Sequence, residues 1–263
     1  MKYGYLTKKI SQVCLVCVLT FTACSCINIG DLARFKYEKT EKLNSPLVPG
    51  STLVLDNDVG SIIIEGLDDN NCNMTAEIKA KAPTEEEAKE LVEQTKIELE
   101  PNGNTLTVKI TKPPNRKNRS VSINFNITVP EQTALQISSD VGEIQISNIT
   151  ETIKTRTDVG EISCKQITGD VDIQSDVGKV NVVYSKDAPA TCNANIKTDV
   201  GSIDLTTPPG CSAVVQANTD VGSIRSDMPL TVKGRIGKNL NGTIGNGQGK
   251  IYLKTDVGSI RLR

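Results

Sequence analysis

Leu135-Gln136-Ile137-Ser138-Ser139-Asp140-Val141-Gly142-Glu143-Ile144-Gln145-Ile146 is followed, 18 residues on, by Ile153-Lys154-Thr155-Arg156-Thr157-Asp158-Val159-Gly160-Glu161-Ile162-Ser163-Cys164. Another 18 residues bring Val171-Asp172-Ile173-Gln174-Ser175-Asp176-Val177-Gly178-Lys179-Val180-Asn181-Val182. The shared element is Asp-Val-Gly-x-Ile, ending once in Val, and it recurs at Asp58, Asp199, Asp220 and Asp256, seven copies in all. Self-similarity on this scale decides the architecture before any single element is assigned.

Aligned on Asp, the copies show further columns. Five residues before it stand Leu53, Leu135, Ile153, Val171, Ala194, Val215 and Ile251; three before it, Leu55, Ile137, Thr155, Ile173, Ile196, Ala217 and Leu253. Four after it stand Ile62, Ile144, Ile162, Val180, Ile203, Ile224 and Ile260, and six after it Ile64, Ile146, Cys164, Val182, Leu205, Ser226 and Leu262. Apolar residues alternating on both sides of a short turn are the signature of strand, turn, strand. Strands this short bury no core alone, so the repeats must stack. The expected fold is all-β: a single-stranded β-solenoid, β-helix-like, with short Asp-Val-Gly turns and one helix in an N-terminal insert or cap. Seven or eight coils at about 4.8 Å each would stand roughly 35 Å tall. The gap of 36 residues before Asp256 is twice 18 and is expected to hold a degenerate coil near Asn241-Gly242-Thr243-Ile244.

In the turn, Asp is expected to cap the backbone N–H two residues on, Gly to supply the hinge, and Val to point inward and plug the corner. A competing reading stacks the carboxylates of Asp140, Asp158 and Asp176 into a Ca²⁺ site. Ca²⁺ needs about six to eight oxygens, and the nonapeptide pattern of Ca²⁺-binding solenoids is absent, so no metal and no cofactor are expected.

About seventy residues of different character separate the first two copies, roughly 66–130. Thr84-Glu85-Glu86-Glu87 is a capping box, and Ala88, Leu91 and Val92 give an apolar face, which predicts a helix from Glu85 to Gln94. Strands are expected at Met74 to Ala80, Lys96 to Leu99, Thr105 to Ile110 and Ser120 to Val129, with a hairpin at Asn102-Gly103. This insert could cover the N-terminal end of the stack. Arg261-Leu262-Arg263 would blunt the other end with charge.

Ahead of the repeats, Lys2, Lys8 and Lys9 precede an uncharged run from Ile10 to Ala23, the pattern of a secretory signal over residues 1–23. Phe21-Thr22-Ala23-Cys24 resembles a bacterial lipobox, whose Cys carries diacylglycerol, although Phe21 stands where that motif has Leu. Lipidation of Cys24 would hold the chain on a membrane, with residues 24–50 as lipidated N-terminus and tether and 51–263 as the solenoid domain. Ordinary cleavage near Ala23, and so plain secretion, is the alternative. Export permits disulfides, and Cys192 with Cys211 is the pair to test. Cys164 lies in an inward column and reads as a small core hydrophobe.

With 263 residues, 37% hydrophobic and a net charge of -1, the chain carries no strong basic footprint, so no nucleic-acid partner is expected. His and Trp are absent, which removes the commonest general base and the best sugar-stacking surface.

From about Ser51 to Arg263, with its Asp-Val-Gly-x-Ile turns and closing Gly249-Lys-Ile-Tyr-Leu-Lys-Thr-Asp-Val-Gly-Ser-Ile-Arg-Leu262, the chain resembles the putative-adhesin family of domains of unknown function in bacterial cell-envelope proteins. That resemblance implies a β-solenoid and an adhesin-like role, and it transfers no catalytic or binding residue. The function expected is therefore non-enzymatic: an exported, lipid-anchored envelope protein with an adhesion or scaffolding surface and a protein or glycan partner. A partner-binding envelope-stress or assembly component is the alternative. A carboxylate-dependent polysaccharide-active β-helix enzyme would need a local carboxylate pair where this sequence repeats evenly. Glu143, Glu161 and Lys179 beside the turns read as a solvated mixed-charge face. A recognition surface is expected where periodicity fails, at Asp68 to Pro130, Ser185 to Thr191 and Thr207 to Ser212.

Overall fold

The computed structural model describes residues 35–114, 118–232 and 237–263. The N-terminal part comprises β1 (Phe35–Pro46), β2 (Thr52–Val59), β3 (Ile62–Leu67), β4 (Asn71–Ala82), α1 (Glu85–Gln94), β5 (Lys96–Asn102), β6 (Thr105–Thr111) and β7 (Ser120–Pro130). The regular coils follow as β8 (Ala134–Val141), β9 (Ile144–Ser147), β10 (Ile153–Val159), β11 (Ile162–Ile167), β12 (Val171–Val177), β13 (Val180–Tyr184), β14 (Asn193–Val200) and β15 (Ile203–Thr206). The chain ends with β16 (Ala213–Val221), β17 (Ile224–Ser226), β18 (Thr231–Val232), β19 (Asn239–Ile244), β20 (Gly249–Val257) and β21 (Ile260–Leu262).

Each motif copy turns one corner and gives a strand to each of two sheets. The ten-stranded sheet runs β1-β4-β7-β3-β9-β11-β13-β15-β21-β17, and the eleven-stranded sheet β18-β19-β16-β20-β14-β12-β10-β8-β2-β6-β5. Neighbouring coils pair parallel and in register, as in Ile153 with Val171 and Val159 with Val177. The predicted apolar columns form the core: Leu53, Ile144, Ile162, Cys164, Ile196 and Ile203 are all buried. Burial pushes the Cys164 thiol up to about 12, in keeping with a core role.

The insert caps one end by continuing both sheets. β6 lies parallel to β2 and β7 parallel to β3, so together they make one further coil without the motif. β5 then closes one sheet antiparallel to β6, while β4 and β1 extend the other in antiparallel steps. Thr84 accepts from the Glu87 N–H at 3.2 Å and starts α1, which buries Ala88, Leu91 and Val92 against β1 and β4.

Four expectations change. The repeats do not stack in chain order: β20 pairs with β14 on one side and β16 on the other, so the last copy lies between the fifth and sixth. Consequently Arg261-Leu262-Arg263 does not blunt an end, because β21 is flanked by β15 and β17. The segment expected as a degenerate coil is β19, which runs antiparallel to β16 and covers its outer edge. Lastly, the tether expected over 24–50 gives way to strand from Phe35 to Pro46; the signal segment, Cys24 and residues up to 34 lie outside the described residues.

Candidate functional site

The Asp-Val-Gly corner is the feature that the seven motif-bearing coils share, and its two sides differ in chemistry. Inside, the residue before each Asp is polar and buried: Asn57, Ser139, Thr157, Ser175, Thr198, Thr219 and Thr255. Thr198, Thr255 and Thr219 donate to the carbonyls of Gly178, Gly201 and Gly258 on the adjacent coil, at 3.3, 2.9 and 2.9 Å. Asn57 donates instead to Ile123 O at 3.0 Å, on the motif-free coil.

Glycine follows from contact as well as conformation. A Cβ on Gly142, Gly160, Gly178, Gly201 or Gly258 would lie 1.7–2.0 Å from the carbonyl oxygen of the glycine one coil before it, closer than any real side chain stands. The Gly N–H groups donate to the Val carbonyl one coil on, as Gly160 does to Val177 O at 2.9 Å.

That bond corrects the expected role of Asp, since the N–H it was to cap is taken by the next coil. The expected Val plug is corrected too. Val59, Val141, Val159, Val177, Val200, Val221 and Val257 are 40–61% exposed, because the buried hydroxyl column already fills the inner corner. Side chains point inward at offsets -5, -3 and -1, then at +4 and +6, so both Asp and Val fall on the outer side where the phase changes. The result is an outward ridge: a ladder of half-exposed valines beside a ladder of aspartates.

The aspartates are partly compensated. Arg156 reaches Asp158 at 3.5 Å and Asp176 at 3.3 Å, Lys112 reaches Asp58 at 3.3 Å, and Lys254 reaches Asp256 at 2.9 Å. Among the described residues, no group of three or more His, Cys, Asp or Glu is arranged to hold a metal ion. Next to the ridge, the outer face of the eleven-stranded sheet carries an open trough of about 420 Å³ lined by Gln136, Ser138, Lys154, Arg156, Asp172 and Gln174.

Glu143 and Glu161 are exposed as expected, and Lys179 pairs with Asp204 at 3.5 Å. The irregular loops at 185–191 and 207–212 are brought together: Ser212 N–H donates to Ala190 O at 2.8 Å, and the Cys192 and Cys211 sulfurs stand 3.5 Å apart. The valine ridge was hidden in the sequence by its own apolarity. Its signal was the hydroxyl column at -1, in phase with -3 and -5.

Residues 124–263, over half of the chain, match the model of the family described as Toastrack DUF4097. Among solved structures, the chain is similar to a putative cell adhesion protein from Clostridium sporogenes, at 17% identity and a TM-score of 0.47, covering 85% of this chain and 99% of that one. It is also similar to a putative adhesin from Bacteroides fragilis, at 15% identity and a TM-score of 0.43, covering 86% and 97%. A third is a putative lipid binding protein from Parabacteroides distasonis, at 11% identity and a TM-score of 0.25, covering 85% and 96%. No curated protein matches the chain.

Proposed function

The chain belongs to the Toastrack DUF4097 family, a β-solenoid-like fold of unknown function, and from that premise we propose that it is a non-enzymatic adhesion or scaffolding protein of the cell envelope. Export by residues 1–23 and diacylglycerol on Cys24 would hold it at a membrane surface, with the solenoid in water. Among the described residues, no helix is long and apolar enough to cross a membrane. The observation that carries the reading is the ridge. Seven valines, each 40–61% exposed, stand in register beside seven aspartates, and regular apolar exposure of this kind marks contact surfaces. A protein or glycan at the cell surface is the partner this surface is proposed to meet.

The test coats beads with residues 25–263 and measures capture of cells and surface glycans, against a variant with Val141, Val159 and Val177 each changed to Lys. Capture by the parent and its loss in the variant is the expected outcome. A parent that captures nothing overturns the adhesion reading. The lipid anchor is checked separately: Cys24→Ala should move the protein from the membrane fraction to the soluble one.

A further inference from the structure

Two loops that break the repeat meet at one point. Cys192 directly precedes β14 and Cys211 lies two residues before β16; these are the strands between which β20 is inserted. Both cysteines are buried, and their sulfurs are 3.5 Å apart. The surrounding backbone is tied across the same gap. Ser212 N–H donates to Ala190 O, Gly249 N–H donates to Ser212 O, and a Cβ on Gly249 would lie 2.3 Å from Cys192 O. Gly249 is the first residue of β20, so the two sulfurs sit where the inserted strand enters the sheet.

We propose that Cys192 and Cys211 form a disulfide that fastens β14 to β16 around the entry of β20. To go from 3.5 Å to a bond of about 2 Å, the two sulfurs must approach by about 1.5 Å. The oxidant is a disulfide, either a small molecule such as oxidised glutathione or an exported thiol-disulfide oxidoreductase. The Cys211 thiolate attacks one oxidant sulfur and expels the other as a thiol. The Cys192 thiol then loses its proton and attacks the mixed disulfide at the Cys211 sulfur, expelling the second thiol. One S–S bond forms in the protein, one breaks in the oxidant, and two electrons and two protons pass to the oxidant. The exchange takes place while the loops are open, before they bury the pair. Either thiolate can attack first, and the balance is the same with Cys192 leading.

Cys72 and Cys164 provide internal controls. Both are buried, and burial alone pushes their thiols up, to about 11 and about 12.

The full chain is equilibrated in a glutathione buffer of mixed redox state, denatured, alkylated and mapped by peptide mass. The expected product joins the peptides holding Cys192 and Cys211, two hydrogens lighter than the reduced pair, while Cys72 and Cys164 are alkylated. Adding reductant should lower the melting temperature by on the order of 5 to 10 °C, from the loop that the bond closes. It should also speed amide exchange along β20 by about tenfold or more. The C192S/C211S double variant keeps the fold and should show neither response. Full alkylation of both cysteines, or a bond joining either to another residue, overturns the pairing. An intact bond whose reduction leaves β20 exchange unchanged overturns the fastening role.

Discussion

The corners at Asp140, Asp158 and Asp176 and those at Asp199, Asp256 and Asp220 share one motif, yet they satisfy their buried hydroxyls differently. In the C-terminal group, Thr198, Thr255 and Thr219 each donate to a glycine carbonyl on the neighbouring coil. In the central group, the hydroxyls of Ser139, Thr157 and Ser175 are buried with no hydrogen-bond partner among the described residues. The glycine contacts hardly change between the groups, at 1.7–2.0 Å from a would-be Cβ. Coil spacing therefore comes from glycine backbones touching, and the hydroxyl bond is an addition to it. The group that carries the addition is the one that admits a strand out of chain order.

The largest effect should be blind to this difference. Gly160→Ala and Gly258→Ala each drive a methyl into a backbone oxygen 1.8 Å away, which cannot move without separating two coils. Each should cost at least about 3 kcal/mol or abolish folding, as measured by urea denaturation. A cost under about 1 kcal/mol at either site would remove glycine contact as the common cause.

The hydroxyls should then separate the groups. Thr255→Val keeps the shape but deletes the bond to Gly201 O, and a loss of about 1 kcal/mol is expected. Thr157→Val deletes a buried hydroxyl that has no partner, so its stability should be unchanged within about 0.5 kcal/mol or should rise. Equal losses at the two sites would show that Thr157 is bonded in solution, and the regional contrast would vanish.

Much of this was written in the sequence and some was not, for reasons that lie in the residues. The columns at -5, -3, +4 and +6 placed the core correctly, since alternation is a geometric property of each strand. The helix from Glu85 to Gln94 was legible because Thr84 and Glu87 mark its start. The inward column at -1 was missed because Thr, Ser and Asn look like surface residues, and extending the apolar pattern to Val carried the inward phase one step too far around the corner. Coil order was illegible for a different reason. Ile251 and Leu253 of the inserted strand fit against Ala194 and Ile196 as readily as Val215 and Ala217 would, so the columns themselves do not choose the neighbour. Cys192 and Cys211 were a pair worth testing from sequence, but their meeting at the entry of β20 depended on that order.

The outer ladder gives the smallest effect and separates the groups once more. In the central coils Arg156 bridges two levels, touching Asp158 and Asp176, whereas Lys254 touches only Asp256 on its own coil. All these side chains are 42–54% exposed, so solvent screens each pair and each is weak. Removing Arg156 leaves two carboxylates one coil apart with nothing between them; removing Lys254 unpairs one. Arg156→Gln should therefore cost about 0.5 kcal/mol at low salt, and more than Lys254→Gln. Near 1 M salt, where screening acts within about 3 Å, both costs should disappear. A cost at Arg156 that survives in salt would mean that its side chain holds the coils by packing across the trough, and the charge would then be incidental.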